Sequence, residues 1–368
     1  MIIHAGGHRC LLVFVSMARL ETAPQISVIV PARNEEACLG ACLQSLVGQG
    51  GPVYEVIVVD DESVDGTRAI AASFPVIVIS ADELPPGWSG KCNAAWSGAK
   101  AAKGKWLLFT DADTRHSADS IARGLQEAKE TSADMLSYSP KQEVHGLAER
   151  ALMPVIFAEL AVTYPPKEVC DPTSPVAAAN GQYLLVRREA YEAVGGHAAV
   201  ATTLLEDVEL AKRLKRAGFV LRFGMSDAVS TRMYRSFSRM WEGWTKNLAL
   251  LFPKPRRLAL WRAVEFVAIV AMATFSIVSL TKGDMITFAV AAAVTAQWLY
   301  LFEKRIARAY FDWRSNILAF FGLPLFAVLL VNSSISLRNG AVRWKGRQYS
   351  GIGEVQPPGE HGLSNPQV

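Results

Sequence analysis

Trp106-Leu107-Leu108-Phe109-Thr110-Asp111-Ala112-Asp113-Thr114 joins a run of four apolar residues directly to two carboxylates one residue apart. The apolar run reads as a short buried strand. In extended geometry Asp111 and Asp113 fall on the same side of the chain. Two like charges at the end of a buried strand repel and must stay solvated. A divalent cation removes that repulsion, and Mg²⁺ or Mn²⁺ takes oxygen ligands, typically one or two carboxylates completed by substrate phosphates. The pair therefore reads either as a metal–diphosphate site or as a polar exit from a strand.

Upstream, Ile26–Pro31 reads as a first strand ended by its proline. Asn34-Glu35-Glu36 then opens a helix, with Asn34 as its N-cap and acids in its first turn. Tyr54–Val59 is a second strand, a near-continuous apolar run of the kind found in parallel sheets. It exits through Asp60-Asp61-Glu62-Ser63-Val64-Asp65-Gly66-Thr67 into a helix, and Val76–Ile79 forms a third strand. A Pro/Gly loop, Leu84–Asn93, carries Lys91 before the next helix. The alternation is βαβαβαβ, which predicts an α/β fold with a doubly wound, Rossmann-like, mostly parallel sheet flanked by helices. Ligands on such sheets bind at the carboxyl ends of the strands. Asp60, Asp61, Lys91, Asp111 and Asp113 all fall at strand exits or in the connecting loops, so they converge on one edge. Lys91 reads as a phosphate-binding cation or as a solvated loop lysine.

Downstream, the pattern predicts a helix over 117–129, a strand over 134–139 and an apolar, partly helical stretch over 148–164 containing Pro154. A loop follows over 165–175, and Ala177–Val186 reads as a loop into a strand, with Gly181 and Gln182 at its bend. Leu204–Leu210 opens a helix that runs to Ala217 and is capped by Gly218. Glu206, Asp207 and Glu209 lie in its first turn. They are either favourable charges against the helix dipole or the location of a general base.

The 368 residues are 51% hydrophobic and 20% charged, and the apolar excess is concentrated over about 259–336. A net charge of +4 gives no case for nucleic acid as a partner. The basic residues cluster near the apolar segments, which suits an anionic membrane surface. Cysteines 10, 38, 42, 92 and 170 show no zinc or redox spacing and are expected to be reduced thiols in a cytosolic compartment.

Residues 1–25 form an N-terminal extension. Its apolar part, Cys10–Met17, is too short to span a bilayer, although it is long enough to touch one. No cleavage site for a signal peptide follows it. Residues 26–230 form the α/β domain and 231–257 an amphipathic helical region. There Met233, Phe237, Met240, Trp241, Trp244 and Leu248 oppose Arg232, Arg235, Arg239 and Lys246, a pattern shared by interfacial helices and tightly packed core helices. Residues 258–337 hold about three transmembrane segments, and 338–368 a basic tail expected to be disordered from 350. Lys254, Arg256 and Arg257 before the first segment, and Lys304, Arg305, Arg308 and Arg314 between the second and third, place the α/β domain on the cytoplasmic side. Three full crossings would leave the basic residues after Leu337 outside, against that same rule.

Four blocks in order, Ser27–Glu36, Val58–Thr67, Thr110–Asp113 and Leu205-Glu206-Asp207, resemble the family 2 glycosyltransferases of GT-A fold, across roughly residues 26–250. The tail, with Arg338-Asn339-Gly340 and Arg343-Trp344-Lys345-Gly346-Arg347, is similar to bacterial members associated with carotenoids and hopanoids. The resemblance implies an inverting transfer from a nucleotide-sugar donor to a hydroxyl or carboxyl of a membrane lipid or isoprenoid acceptor. It implies a multi-pass protein of the cell inner or plasma membrane. By position, Pro31, Arg33 and Glu35 would lie around the nucleoside and Asp61 at the base. Lys91 and Asp111 would lie near the diphosphate, with Asp111 and Asp113 at the Mg²⁺ or Mn²⁺. Asp207 would be the general base. Gly181, Gln182 and Glu206 would line the acceptor side. Processive members carry Gln-x-x-Arg-Trp after the base. Here Ser236-Phe237-Ser238-Arg239-Met240-Trp241 lacks the glutamine and separates Arg from Trp, which favours transfer of one sugar and leaves Arg239 and Trp241 as candidate acceptor contacts. The alternative is a non-catalytic membrane scaffold on a degenerate sugar-nucleotide domain. A nucleotidyltransferase ranks third, because the Gly-rich basic loop expected after its first strand is absent.

Overall fold

The protein is described from a computed structural model that covers residues 25–340 and three short segments beyond them, 342–344, 347–350 and 354–356. The extension 1–24, with Cys10, lies outside the described residues. Strands β1 (Ile26–Ala32), β2 (Val53–Asp60), β3 (Ile77–Ser80) and β4 (Trp106–Phe109) alternate with helices α1 (Leu39–Val47), α2 (Thr67–Ala72) and α3 (Gly90–Ala101). These four strands are parallel, in the order β3-β2-β1-β4. Both faces of β1, β4 and the second half of β2 are covered, which is why these strands read as continuous apolar runs, while the edge strand β3 stays partly exposed. Val28, Val58 and Leu108 face α1 through Leu39, Leu43 and Leu46. Ile29, Val59 and Leu107 face α3 through Ala94, Ala95 and Ala99. A Cβ on Gly98 would stand 2.5 Å from Ile29 Cγ2, so glycine lets α3 settle onto the sheet.

The second half does not continue the parallel pattern. β5 (Thr114–His116), α4 (Ser120–Glu130), β6 (Met135–Gln142), α5 (Leu147–Thr163), α6 (Pro166–Cys170), β7 (Leu184–Arg187), α7 (Arg188–Ala193), α8 (Glu206–Arg216) and β8 (Leu221–Thr231) follow. A 3₁₀ turn, Gly196–Val200, lies between α7 and α8. The full order is β3-β2-β1-β4-β7-β6-β8-β5, with β4–β7, β7–β6 and β8–β5 antiparallel and β6–β8 parallel. The sheet is therefore mixed. The short β5 and the long β8 carry no apolar run of their own and are held by pairing with strands distant in sequence.

Local expectations also shift. Asn34 is not an N-cap: it sits at φ 53°, and α1 starts five residues later, at Leu39 after Cys38. Its Oδ1 accepts from Val64 N at 2.9 Å and its N–H donates to Ser63 Oγ at 3.1 Å, tying the β1 exit to the β2 exit. Lys91 is not in a loop but in the first turn of α3, which Ser89 caps by accepting from Cys92 N at 3.1 Å. The stretch 165–175 contains α6 rather than loop alone.

Beyond the sheet, α9 (Phe237–Leu251), α10 (Pro255–Thr281), α11 (Met285–Ile306) and α12 (Trp313–Arg338) pack with α5 around Leu152, Ile156, Trp244, Leu248, Leu323 and Phe326. A 3₁₀ turn, Ala307–Ala309, joins α11 to α12. Met240, Trp244 and Leu248 are buried, so α9 is a packed helix along one face. α10, α11 with its 3₁₀ extension, and α12 are long and apolar enough to cross a membrane. The charges at the start of α10 are paired inside the protein. Arg262 meets Glu159 and Glu265 at 2.8 Å each, and Arg305 meets Glu265 at 2.8 Å and Glu159 at 3.1 Å. This net-neutral quartet ties α5 to α10 and α11. In the tail, expected to be unstructured from 350, β9 (Val342–Trp344), β10 (Arg347–Ser350) and β11 (Glu354–Gln356) form an antiparallel sheet. Main-chain pairing needs no apolar pattern to announce it.

Candidate active site

The parallel register sets the ends of β1, β2 and β4 side by side, with Ala32 opposite Asp60 and Ile29 opposite Phe109. The chain leaving each end turns into one cavity of about 1190 Å³. Pro31, Arg33 and Glu35 line it after β1, Asp61 after β2, and Asp111 and Asp113 after β4. Lys91, Gly181, Gln182, Glu206 and Asp207 complete that side. Arg33 Nη1 donates to the Asp61 carbonyl at 3.3 Å and lies 3.6 Å from its carboxylate.

The Asp111–Asp113 turn is held from behind. Thr114 Oγ1 donates to the Asp111 carbonyl at 2.7 Å, and Thr231 Oγ1 to the Asp113 carbonyl at 3.3 Å. Thr110 Oγ1 donates to the Gln182 carbonyl at 2.8 Å and lies 3.0 Å from His116 Nε2. Burial pushes the His116 imidazole down to about 4, so it is neutral at physiological pH. Cys42 Sγ points at the Asp111 carbonyl, and burial pushes its thiol up to about 12. The four described cysteines are free thiols.

Lys91 Nζ sits 2.9 Å from Asp111 Oδ1 and 3.0 Å from Glu206 Oε1. Desolvation by the cavity walls works against its charge even though the side chain is 43% exposed, but Asp111, Glu206 and Asp207 outweigh it and hold the ammonium well above its ordinary value. Burial alone would raise Glu206, yet Lys91 and then Lys246 keep its carboxyl ionised below the usual range. Asp207 goes the other way. Burial and then the Glu206 charge raise it to about 6, against Lys91 and two backbone donors. Those donors are Gly181 N at 2.9 Å from Oδ2 and Val208 N at 2.8 Å from Oδ1. A Cβ on Gly181 would stand 3.0 Å from Lys91 Nζ, so glycine keeps this cluster closed. Two carboxylates a few ångströms apart, one low and one high, separate a structural charge from a group able to exchange a proton near neutrality.

The opposite wall is apolar. Phe157 and Leu160 of α5, Tyr164 just after it, Trp244 and Leu251 of α9, and Phe311 before α12 line it, together with Lys246 and Asn247. Arg239 and Trp241 do not line the cavity. Arg239 is exposed and Trp241 stacks on Phe237 at 5.7 Å, because helical periodicity turns Gly243, Trp244 and Asn247 inward instead. Nothing in the local pattern marked Thr110, Thr114, His116 or Phe311, and Lys246 read only as part of the polar face of α9.

Asp111 and Asp113 offer a hard, oxygen-only donor set. Among the described residues no group of three or more His, Cys, Asp or Glu could hold a metal by itself. A cation here would need further oxygens from a bound phosphate, the habit of Mg²⁺ and Mn²⁺. The residues fit such an ion on those terms.

The family model for glycosyl transferase family 2 matches residues 27–195, which contain the β1 and β2 exits and the Asp111–Asp113 turn. The chain belongs to glycosyl transferase family 2. This family 2 chain is 29% identical over 345 residues to a 4,4'-diaponeurosporenoate glycosyltransferase of Staphylococcus aureus (strain MRSA252), covering 88% of each. It is 32% identical over 255 residues to the protein of the same name from Staphylococcus haemolyticus, covering 66% of each. Among solved structures, the mannosyltransferase of Pyrobaculum calidifontis in complex with GDP-Man and Mn²⁺ shares the fold, with a TM-score of 0.52, 18% identity, and coverage of 85% of this chain and 86% of that one. The family 2 chain is thus a glycosyltransferase on a GT-A fold with C-terminal membrane helices.

Proposed function

We propose that this glycosyltransferase moves a sugar, with inversion, from a nucleotide-sugar to a hydroxyl or carboxyl of a carotenoid-type lipid acceptor taken from the membrane. The observation that carries the reading is the continuity of one cavity from the strand-end carboxylates to the apolar residues of α5 and α9, with Asp207 among the residues that line it. The relatives named as 4,4'-diaponeurosporenoate glycosyltransferases support an acceptor of that class.

In this reading Arg33 and Asp61 hold the nucleoside, and Asp111 and Asp113 would hold Mg²⁺ or Mn²⁺ together with phosphate oxygens of the donor. When bound, that ion neutralises charge growing on the departing nucleoside diphosphate. Lys91 keeps Asp111 and Glu206 in place and adds positive charge beside the leaving group. Asp207 takes the proton of an acceptor hydroxyl as its oxygen attacks the anomeric carbon, a role worth roughly 10²–10⁴ in rate. A carboxylate acceptor arrives ionised and needs no base. One displacement inverts the centre, so no second nucleophilic carboxylate is required. The basic residues flanking α10 and α11 support a cytoplasmic α/β domain on the inner or plasma membrane.

The test is donor binding by the solubilised protein, with UDP-, GDP- and TDP-sugars, with and without Mn²⁺. Metal-dependent binding of one donor, lost in Asp113→Ala, followed by transfer to an apolar acceptor, is the expected result. A folded protein that binds no donor under any of these conditions overturns the reading.

A further inference from the structure

Helix α12 is as apolar as α10 and as long as a membrane crossing requires, yet half of its apolar window is buried in the protein, against 22% for α10 and 11% for α11. Its buried stripe runs nearly end to end, through Ala319, Leu323, Phe326, Leu330 and Ser334. The helix backbones of α12 and α5 touch. A Cβ on Gly322 would stand 2.0 Å from the Ala151 carbonyl. Further along, Ser333 Oγ accepts from Ala249 N at 2.9 Å and donates to the Thr245 carbonyl at 2.6 Å, and Asn332 Nδ2 donates to Thr245 Oγ1 at 3.0 Å.

These contacts locate both ends of the helix. Asp312, the residue before α12, lines the active cavity, and so does Lys246, the residue after Thr245. Asn316 and Ser333 are about 26 Å apart along the axis, close to the roughly 30 Å of a hydrocarbon core. A helix standing across the bilayer would carry Ser333 to the far side. Instead Ser333 is bonded to the helix that walls the cavity. The next strand, β9, also lies against α9. α10 and α11 behave differently. They pack on each other through a tight turn at Lys282-Gly283-Asp284, α10 also packs on α12 with Phe266 against Phe320, and exposed apolar side chains run along α10 from Leu260 to Leu280.

We propose that α10 and α11 alone cross the bilayer, as a hairpin, and that α12 lies in the near membrane surface as a strap beside the cavity, leaving the C-terminal tail on the same side as the α/β domain. The outer face of α12, with Ile317, Phe321, Val328, Val331 and Ile335 exposed, is then covered by lipid acyl chains, continuous with the lipid-facing side of the hairpin. Arg314 and Arg338 flank the strap at the headgroup level. Every basic cluster of the C-terminal third then lies on one side, with Lys282 alone on the other. The inference goes beyond the transfer reaction and stands or falls without it.

Its test reads topology in the full-length protein, in right-side-out and inside-out membrane vesicles. Single cysteines are placed by Glu130→Cys, Lys282→Cys and Asn339→Cys in a chain with its native cysteines replaced by serine, and treated with an impermeant maleimide. Asn339→Cys is expected to react in the same preparation as Glu130→Cys, and Lys282→Cys in the opposite one. Reaction of Asn339→Cys together with Lys282→Cys overturns the proposal. As a control for folding, the unaltered chain with a C-terminal epitope is treated with protease. Loss of the epitope in the preparation that also digests the α/β domain supports the strap, and its protection there refutes it.

Discussion

Asp207 accepts two backbone hydrogen bonds and still holds its proton more tightly than an ordinary aspartate, because burial and the neighbouring Glu206 charge outweigh them. Its base form fills only above about pH 6. Transfer to a hydroxyl acceptor at saturating donor is therefore expected to rise with pH through that value and then level off. Asp207→Asn should lower the rate by roughly 10²–10⁴ while leaving the donor Kd unchanged, and a flat profile would remove the base from Asp207. The same shift has a stability consequence. A carboxyl whose folded pKa is raised stabilises the fold at low pH and loses that contribution as pH rises from the unfolded value of 3.8 through about 6. Above that window the ionised Asp207 is a burden on the fold. Asp207→Asn should then melt no lower than the parent at pH 7.5, which separates a lost reaction from a lost structure.

Between elements, two of the contacts that hold the membrane helices to the rest of the fold differ in kind. At Gly322 the helix backbones meet directly, with no room for a side chain. Helix propensity favours Gly322→Ala by about 1 kcal/mol, but overpacking against a carbonyl costs about 1–3 kcal/mol. The expected outcome is a lower Tm in detergent, and a rise would mean the helices do not touch there. The Glu159–Arg262–Glu265–Arg305 quartet is instead buried charge in balance. Removing one partner by Arg305→Ala leaves a carboxylate uncompensated and should cost about 3–5 kcal/mol, whereas replacing the whole quartet with packed apolar residues should be near neutral. Equal losses in the two variants would show that the charges themselves, not their pairing, stabilise the junction.

Across the whole molecule, one cavity joins two chemistries that belong to different parts of the chain. The strand exits of the sheet supply the charged half and α5 with α9 the apolar half. Donor and acceptor binding should therefore be separable. Leu160→Asn, on the apolar wall, is expected to raise the acceptor KM roughly tenfold, the effect of about 1.4 kcal/mol, and to leave metal-dependent donor binding intact. A matching loss of donor affinity would mean the two halves are not distinct.

The parallel half of the sheet and its carboxylate edge were legible in the sequence for a local reason. A strand covered on both faces must be apolar throughout, and the polar residues that follow it must lie at its end. Asp61, Asp111 and Asp113 could be placed on one edge from periodicity alone, and the three apolar C-terminal helices from length and composition. Pairing between distant segments decided the rest. The order β7-β6-β8-β5 comes from strands whose own patterns are weak. Lys91 acquired its partners only when α3 and α8 met, and Arg239 and Trp241 turned away because α9 rotated Trp244 and Lys246 inward. For α12 the sequence is silent in principle. A helix apolar on every face is equally at home against lipid or against protein, and only the neighbours the fold provides, Ala151 and Thr245, choose between them.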